Sequence, residues 1–251
     1  MRILLTNDDG IHAPGMAVLE RIAAELADEV WVCAPAEEQS GAGHALTLHS
    51  PVRLRDHGER RYSVTGTPTD SVNLALRKFF ADSRPDLVIS GVNAGENLAD
   101  DITYSGTVSA AMEAALAGIP AVALSQAFRD NGRSFDAAER WAVEVLRPLL
   151  DTPMARRTLV NVNFPPLSGE DVAGIRITRQ GFHEYARGSL VENTDPRGRP
   201  YYWFGLEEME HTLDHGTDLE AVADGYVSVT PLQLDLTNHG AIGALAERYG
   251  A

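Results

Sequence analysis

The feature that most limits what this chain can fold into is a regular alternation of strand-like and helix-like segments through its first 125 residues. Residues 3–6 form a short apolar run suited to a strand buried on both faces. Met16, Leu19, Ile22, Ala23 and Leu26 then recur at helical spacing behind Pro14, a residue favoured in a first helical turn. Further strands are predicted at 29–34, 86–90 and 121–125. Helices are predicted at 69–80, at 108–116, where alanines dominate before Gly118, and at 135–150. Such alternation predicts an α/β fold, a mainly parallel sheet flanked by helices through right-handed crossovers. Past Arg157 the pattern changes, with strand-like runs at 159–162, 175–178, 201–204 and 226–229. A smaller β-rich C-terminal part is therefore expected over 158–251, after an α/β core over 1–157. Residues 192–200 form a turn-rich connector that reads as a hairpin or an extended arm.

Charge narrows the function classes. The 251 residues carry 21 basic and 36 acidic side chains, a net charge of -15. A surface this acidic repels a polyphosphate duplex, so binding to nucleic-acid duplexes through counterion release is not expected. An anionic small molecule would need a local positive centre, and Lys78 is the only lysine. The lone cysteine, Cys33, lies in an apolar run, cannot form an intrachain disulfide and reads as a core residue. No stretch approaches the roughly 18 apolar residues of a membrane span. Asn7, Asp8 and Asp9 interrupt the N-terminal run too early for a signal peptide, so a cytoplasmic protein without membrane partners is expected.

In open α/β sheets ligands bind beyond the carboxyl ends of the strands, so the loops at those positions are where chemistry is expected. Three of them are small, polar and glycine-bearing: Asn7-Asp8-Asp9-Gly10, the 35–44 loop with Gln39-Ser40-Gly41, and Gly91-Val92-Asn93-Ala94-Gly95. Adjacent aspartates after a strand repel each other unless a cation lies between them, and hard divalent ions take carboxylate, hydroxyl and amide oxygens. Asp8, Asp9, Ser40 and Asn93 make such a set. Taken alone, Asp-Asp-Gly reads first as a turn and helix-cap sequence; the convergence of three loops favours metal. Ser105-Gly106-Thr107 opens a predicted helix, where it could hold a phosphate or simply cap the helix, and both uses stay open. Gly66-Thr67-Pro68-Thr69-Asp70 reads as a cap, and His12 and His44 as polar loop residues. No Walker A loop, Gly-x-Gly-x-x-Gly fingerprint or Gly-x-Ser-x-Gly nucleophile elbow occurs.

Taken together the motifs resemble the survival protein SurE family. The resemblance runs from Asn7-Asp8-Asp9-Gly10 and Ala13-Pro14-Gly15 through Gln39-Ser40-Gly41, 66–70 and 90–95. It continues through Tyr104-Ser105-Gly106-Thr107-Val108 and 110–113 to Gly216-Thr217-Asp218 and 225–232. It implies a Rossmann-like domain whose C-terminal extension, with an arm near 185–210, is exchanged between subunits of a homodimer or homotetramer. It also implies a metal-dependent phosphomonoesterase acting on nucleoside 5'-monophosphates, with 3'-monophosphates and short polyphosphate as further substrates. One divalent ion per subunit, magnesium or manganese, is expected on Asp8, Asp9, Ser40 and Asn93. Asn97, Ser105, Gly106 and Thr107 correspond to the phosphate-binding loops, and Asp8 or Asp9 would accept the proton of the attacking water. Ser71 and Val92 depart from the family's usual cysteine and isoleucine. Two rivals make other demands. An aspartate-nucleophile phosphatase wants Asp-x-Asp and a lysine partner, and a non-enzymatic nucleotide-binding module would bind without releasing phosphate.

Overall fold

The computed structural model describes residues 1–129, 132, 134–183, 190–204 and 214–250. Its centre is a nine-stranded sheet in the order β3-β4-β2-β1-β5-β6-β7-β11-β8. The strands in the middle of that order are β1 (Arg2–Thr6), β2 (Glu29–Pro35), β5 (Leu87–Ala94), β6 (Ala121–Gln126) and β7 (Thr158–Phe164). On one side β3 (Leu54–Asp56) and β4 (Arg61–Val64) complete the edge, and on the other β8 (Ile175–Ile177) and β11 (Val227–Gln233) do so. Pairing is parallel from β4 through β2, β1, β5 and β6 to β7; β11 runs antiparallel to β7, and β3 antiparallel to β4.

Both faces of the sheet are covered, as period-two alternation along a doubly buried strand demands. Ile3 and Leu5 of β1 face Met16, Leu19 and Ile22 of α1 (Pro14–Ala24), in a core shared with Ala138, Ala142 and Leu146 of α4 (Asp136–Leu150). Leu4 points the other way, into a second core with Val72 and Ala75 of α2 (Pro68–Lys78) and Val108 and Ala111 of α3 (Gly106–Leu116). Ile3, Leu4 and Leu5 are fully buried, each contributing roughly 1.5–3 kcal/mol. Cys33 joins the second core, and burial pushes its thiol up to about 12, so it is an inert packing residue.

Strand β5 runs four residues past its predicted end at Ser90, because a register irregularity falls between Ser90 and Asn93. Gly91 makes this approach to β6 sterically feasible, since a Cβ there would lie 2.3 Å from the Leu124 carbonyl oxygen. Beyond Arg157 the chain goes on building the same sheet through β7, β8 and β11, with α5 (Asp218–Ala223) packed against β11. A separate antiparallel hairpin pairs β9 (Leu190–Thr194) with β10 (Pro200–Phe204). It falls within the expected 185–210 arm, whose residues 185–189 and 205–210 lie outside the described residues. The last helix, α6 (His239–Tyr249), has no buried residue.

Candidate active site

Strand order reverses at β1: its neighbours are β2, which follows it, and β5, from the other half of the sheet. A crevice opens at such a switch point, outside the carboxyl ends of the strands. Here it is a cavity of about 260 Å³ bordered by Asp8 and Asp9 after β1, Glu38 and Ser40 after β2, and Asn93 at the end of β5. The loops are tied to one another by backbone. The Gln39 N–H donates to the Asp8 carbonyl at 2.8 Å, and the Gly43 N–H donates to the Tyr104 carbonyl at 3.1 Å.

Each expected metal ligand presents oxygen. Asp8 is buried, and its Oδ1 accepts from the Thr107 hydroxyl, with a further bond from the Thr107 backbone. Burial pushes the Asp8 carboxyl up to about 6; the Thr107 hydroxyl opposes the rise and the neighbouring Asp9 charge adds to it. Asp9 Oδ2 accepts from the Ala94 N–H at 3.1 Å. Asn93 spends its amide N–H on the Gly95 carbonyl at 2.9 Å, which leaves Oδ1 as its ligand end. Ser40 donates its hydroxyl proton to Glu38 Oε1 at 2.8 Å, so its lone pairs remain for a cation.

The phosphate-side residues divide by place. Asn97 and Ser105 line the cavity. Ser105 Oγ caps α3 by accepting from the Val108 N–H at 3.1 Å, and its own hydroxyl proton is left for a ligand. Capping and cavity lining are thus combined in one residue. Gly106 opens α3 with a backbone N–H that has no intrahelical partner, and a Cβ there would lie 2.7 Å from Asp8 Cβ. Thr107 is fully buried behind Asp8 and orients that carboxylate. Asn97 is held by a buried amide cluster: its N–H donates to Asn163 Oδ1 at 2.8 Å, and its carbonyl accepts from Asn161 Nδ2 at 2.8 Å. One amide hydrogen of Asn97 goes to Ser125 Oγ at 2.8 Å, leaving the second for the cavity.

The electrostatics of the cavity are one-sided. Asp8, Asp9, Glu38 and Asp101 border it, with no lysine, arginine or histidine among its lining residues. Lys78, the one lysine an aspartate-nucleophile mechanism could recruit, sits 5.9 Å from the Phe79 ring centroid and does not line it. Among the described residues no three His, Cys, Asp or Glu side chains gather into a metal cluster. The donor set is therefore two carboxylates completed by neutral oxygens, which fits a hard divalent ion. A larger concavity of about 680 Å³ lies at the opposite end of the strands, against Leu146, Leu149 and Met154. That end of the sheet is not where α/β folds bind ligands.

The family model described as Survival protein SurE matches residues 3–187, which include every candidate site residue. The chain belongs to the SurE family. It is 66% identical over 251 residues to a protein named 5'-nucleotidase SurE from Erythrobacter litoralis, covering 99% of this chain and 100% of that one. It is 57% identical to the 5'-nucleotidase SurE of Rhizorhabdus wittichii, again over 99% and 100% of the two chains. Among solved structures, the SurE protein from Aquifex aeolicus superposes with a TM-score of 0.87 at 41% identity, covering 99% of this chain and 100% of that one. The Rossmann-like architecture is that of the family.

Glu38, Asp101, Ser125, Asn161 and Asn163 were not among the residues the sequence singled out. The Asn161-x-Asn163 pair carried a signal, two amides on one face of an otherwise apolar strand. The expected cap at 66–70 is present: Thr67 and Asp70 exchange hydrogen bonds as a capping box at the start of α2. His44 is a tether, its Nε2 lying 3.2 Å from Glu113 Oε2.

Proposed function

We propose that this chain is a metal-dependent phosphomonoesterase that hydrolyses nucleoside 5'-monophosphates to nucleoside and phosphate. The observation that carries this reading is a cavity bordered by four carboxylates and no cationic side chain, at the switch point and beside a helix N-terminus. Such a cavity repels a phosphate monoester unless a cation is held there first, and the oxygen set of Asp8, Asp9, Ser40 and Asn93 suits that cation. One magnesium or manganese ion per subunit is the expected occupant. A bound divalent ion supplies Lewis acidity, polarising the phosphoryl oxygen and making a bound water nucleophilic at neutral pH.

The chain's own residues do the rest. Ser105 O–H, the Gly106 N–H and the second Asn97 amide hydrogen offer neutral donors to the equatorial phosphoryl oxygens, where negative charge gathers in the transition state. Thr107 fixes the orientation of Asp8. Asp8 or Asp9 accepts the proton of the attacking water. The Asn161–Asn163 amides hold Asn97 from behind, so its position needs no reorganisation during the reaction.

A homodimer or homotetramer is part of this reading, supported by the β9–β10 hairpin, where Leu190, Val191, Tyr201, Tyr202, Trp203 and Phe204 are all exposed on the single chain. We place its work in the cytoplasm; among the described residues no helix is long and apolar enough to cross a membrane. The test is phosphate release from all nucleoside 5'- and 3'-monophosphates and short polyphosphate, with magnesium or manganese and with EDTA. Release that needs the ion and is greatest on 5'-monophosphates supports the reading. Full activity in excess chelator, or tight nucleotide binding without release, overturns it.

A further inference from the structure

The metal and phosphate residues account for one wall of the cavity. Two further lining residues have no part in those sets: Asp101, from the short 3-10 helix Ala99–Thr103, and Tyr104, which follows that helix. Tyr104 lines the cavity yet its side chain is 63% exposed, and among the described residues it has no aromatic neighbour and its hydroxyl no hydrogen bond. A large apolar ring left open to water at the lip of an otherwise polar cavity offers a ligand the face it lacks. Its backbone is fixed on both sides, by the Tyr104 N–H donating to the Asp101 carbonyl and by the Gly43 N–H donating to its own carbonyl. Ser105, the residue with a free hydroxyl proton for phosphate, comes next in the chain, about 3.8 Å away between α-carbons.

Asp101 stands one turn earlier on the same lip. Its Oδ2 lies 3.3 Å from His183 Nε2, a contact that becomes an ion pair when the imidazole is protonated. The His183 segment is itself pinned to this helix. The His183 N–H donates to Asp100 Oδ2 at 2.8 Å, and the fully buried Asp218 takes the N–H groups of Ala99 and Gly181 at 3.0 and 2.8 Å. The lip is therefore braced from the C-terminal half of the chain, and Asp101 presents a fixed acceptor to the cavity. An ionised carboxylate can only accept, so its partner must carry hydroxyls or other donors.

Resting on the phosphatase reading above, we infer that Tyr104 and Asp101 form the nucleoside subsite: the Tyr104 ring stacks on the nucleobase and Asp101 accepts hydrogen bonds from the ribose hydroxyls. Stacking is tolerant of base identity because every base has a π face, so the subsite selects nucleosides over non-nucleoside alcohols without choosing among bases. The carboxylate adds a preference for ribose over 2'-deoxyribose.

The experiment measures KM and kcat of the full-length, metal-loaded protein on three substrates: nucleoside 5'-monophosphates, their 2'-deoxy counterparts and glycerol 2-phosphate, which has neither base nor ribose. Wild-type release from nucleotides reports on the phosphatase reading; ratios between substrates report on the subsite. Tyr104→Ala is expected to raise KM for nucleotides about tenfold and that for glycerol phosphate several-fold less, while Tyr104→Phe restores nucleotide KM. Asp101→Asn is expected to bring the ribose-to-deoxyribose ratio of kcat/KM close to one. A Tyr104→Ala variant that changes all substrates equally, or none, overturns the stacking role. A wild type that treats ribose and deoxyribose alike, or a ratio that Asp101→Asn leaves unchanged, overturns the role of Asp101. A wild type that releases phosphate from glycerol phosphate but not from nucleotides overturns the subsite; one that releases it from neither takes the phosphatase reading down with it.

Discussion

Two helix starts in this molecule use the same residue types and reach opposite ends. At the start of α2, Thr67 and Asp70 close a capping box, and Asp70 also takes the backbone N–H and hydroxyl of Thr47. Burial works against the charge on Asp70, but the donors from Thr47 and Thr67 outweigh it and hold the carboxyl below its ordinary value. At the start of α3 the serine caps, but the aspartate comes from the loop after β1, and burial beside Asp9 pushes it up to about 6. Both aspartates are buried and both meet a threonine hydroxyl. What separates them is whether the remaining acceptors are satisfied within the chain or left facing a second carboxylate across a cavity. The satisfied aspartate is architecture; the unsatisfied one is the residue we propose as a metal ligand.

Substitutions at the two starts should therefore separate activity from stability. The largest effect is expected for Asp8→Asn, which should lower kcat in a metal-supplemented phosphate assay by on the order of 10³-fold. Because it removes a buried charge next to another, the same variant should melt several degrees higher than wild type when both are metal-free, by scanning calorimetry. Gly106→Ala comes next: the added Cβ would meet Asp8 at 2.7 Å, so turnover should fall about 100-fold, with roughly 1–3 kcal/mol of destabilisation in urea titrations. Glu38→Gln removes the charge that takes the Ser40 proton and should raise the metal concentration needed for half-maximal activity about tenfold, with little change in melting temperature. Asp70→Asn should be the smallest in activity, less than about twofold, while costing about 1 kcal/mol of stability at neutral pH. The sign of its pH dependence follows from the lowered carboxyl. The contribution of Asp70 is fully present above the ordinary carboxylate value of 3.8 and is lost as pH falls through its depressed folded value. Wild type and Asp70→Asn should thus converge in acid. Equal losses of activity in Asp8→Asn and Asp70→Asn would erase the distinction between the two starts.

Much of this was legible because periodicity marks elements that bury a face. β1, β2, β6 and α1 to α4 stand within a few residues of their predicted ranges, since each packs a regular stripe into one of two cores. β3 and β4 left no such mark, being short strands at one side of the sheet with half-buried or exposed side chains at most of their positions. α6 was equally silent, because a helix with no buried residue needs no apolar stripe. Asp8, Asp9 and Ser40 could be placed at the cavity because each follows a strand that ends at one edge, and Asn93 because it lies at the end of another. Glu38 and Asp101 could not, as single acids among 36. The service Thr107 performs for Asp8 crosses 99 residues of sequence, and no local pattern encodes a contact of that span.

The central claim is that the cavity at the switch point holds a divalent cation through Asp8 and its neighbours. Calorimetric titration of manganese into chelator-treated protein tests it directly. One ion per chain in wild type and in Asp70→Asn, with binding lost in Asp8→Asn, is the predicted result. Equal stoichiometry and affinity in wild type and Asp8→Asn would contradict it.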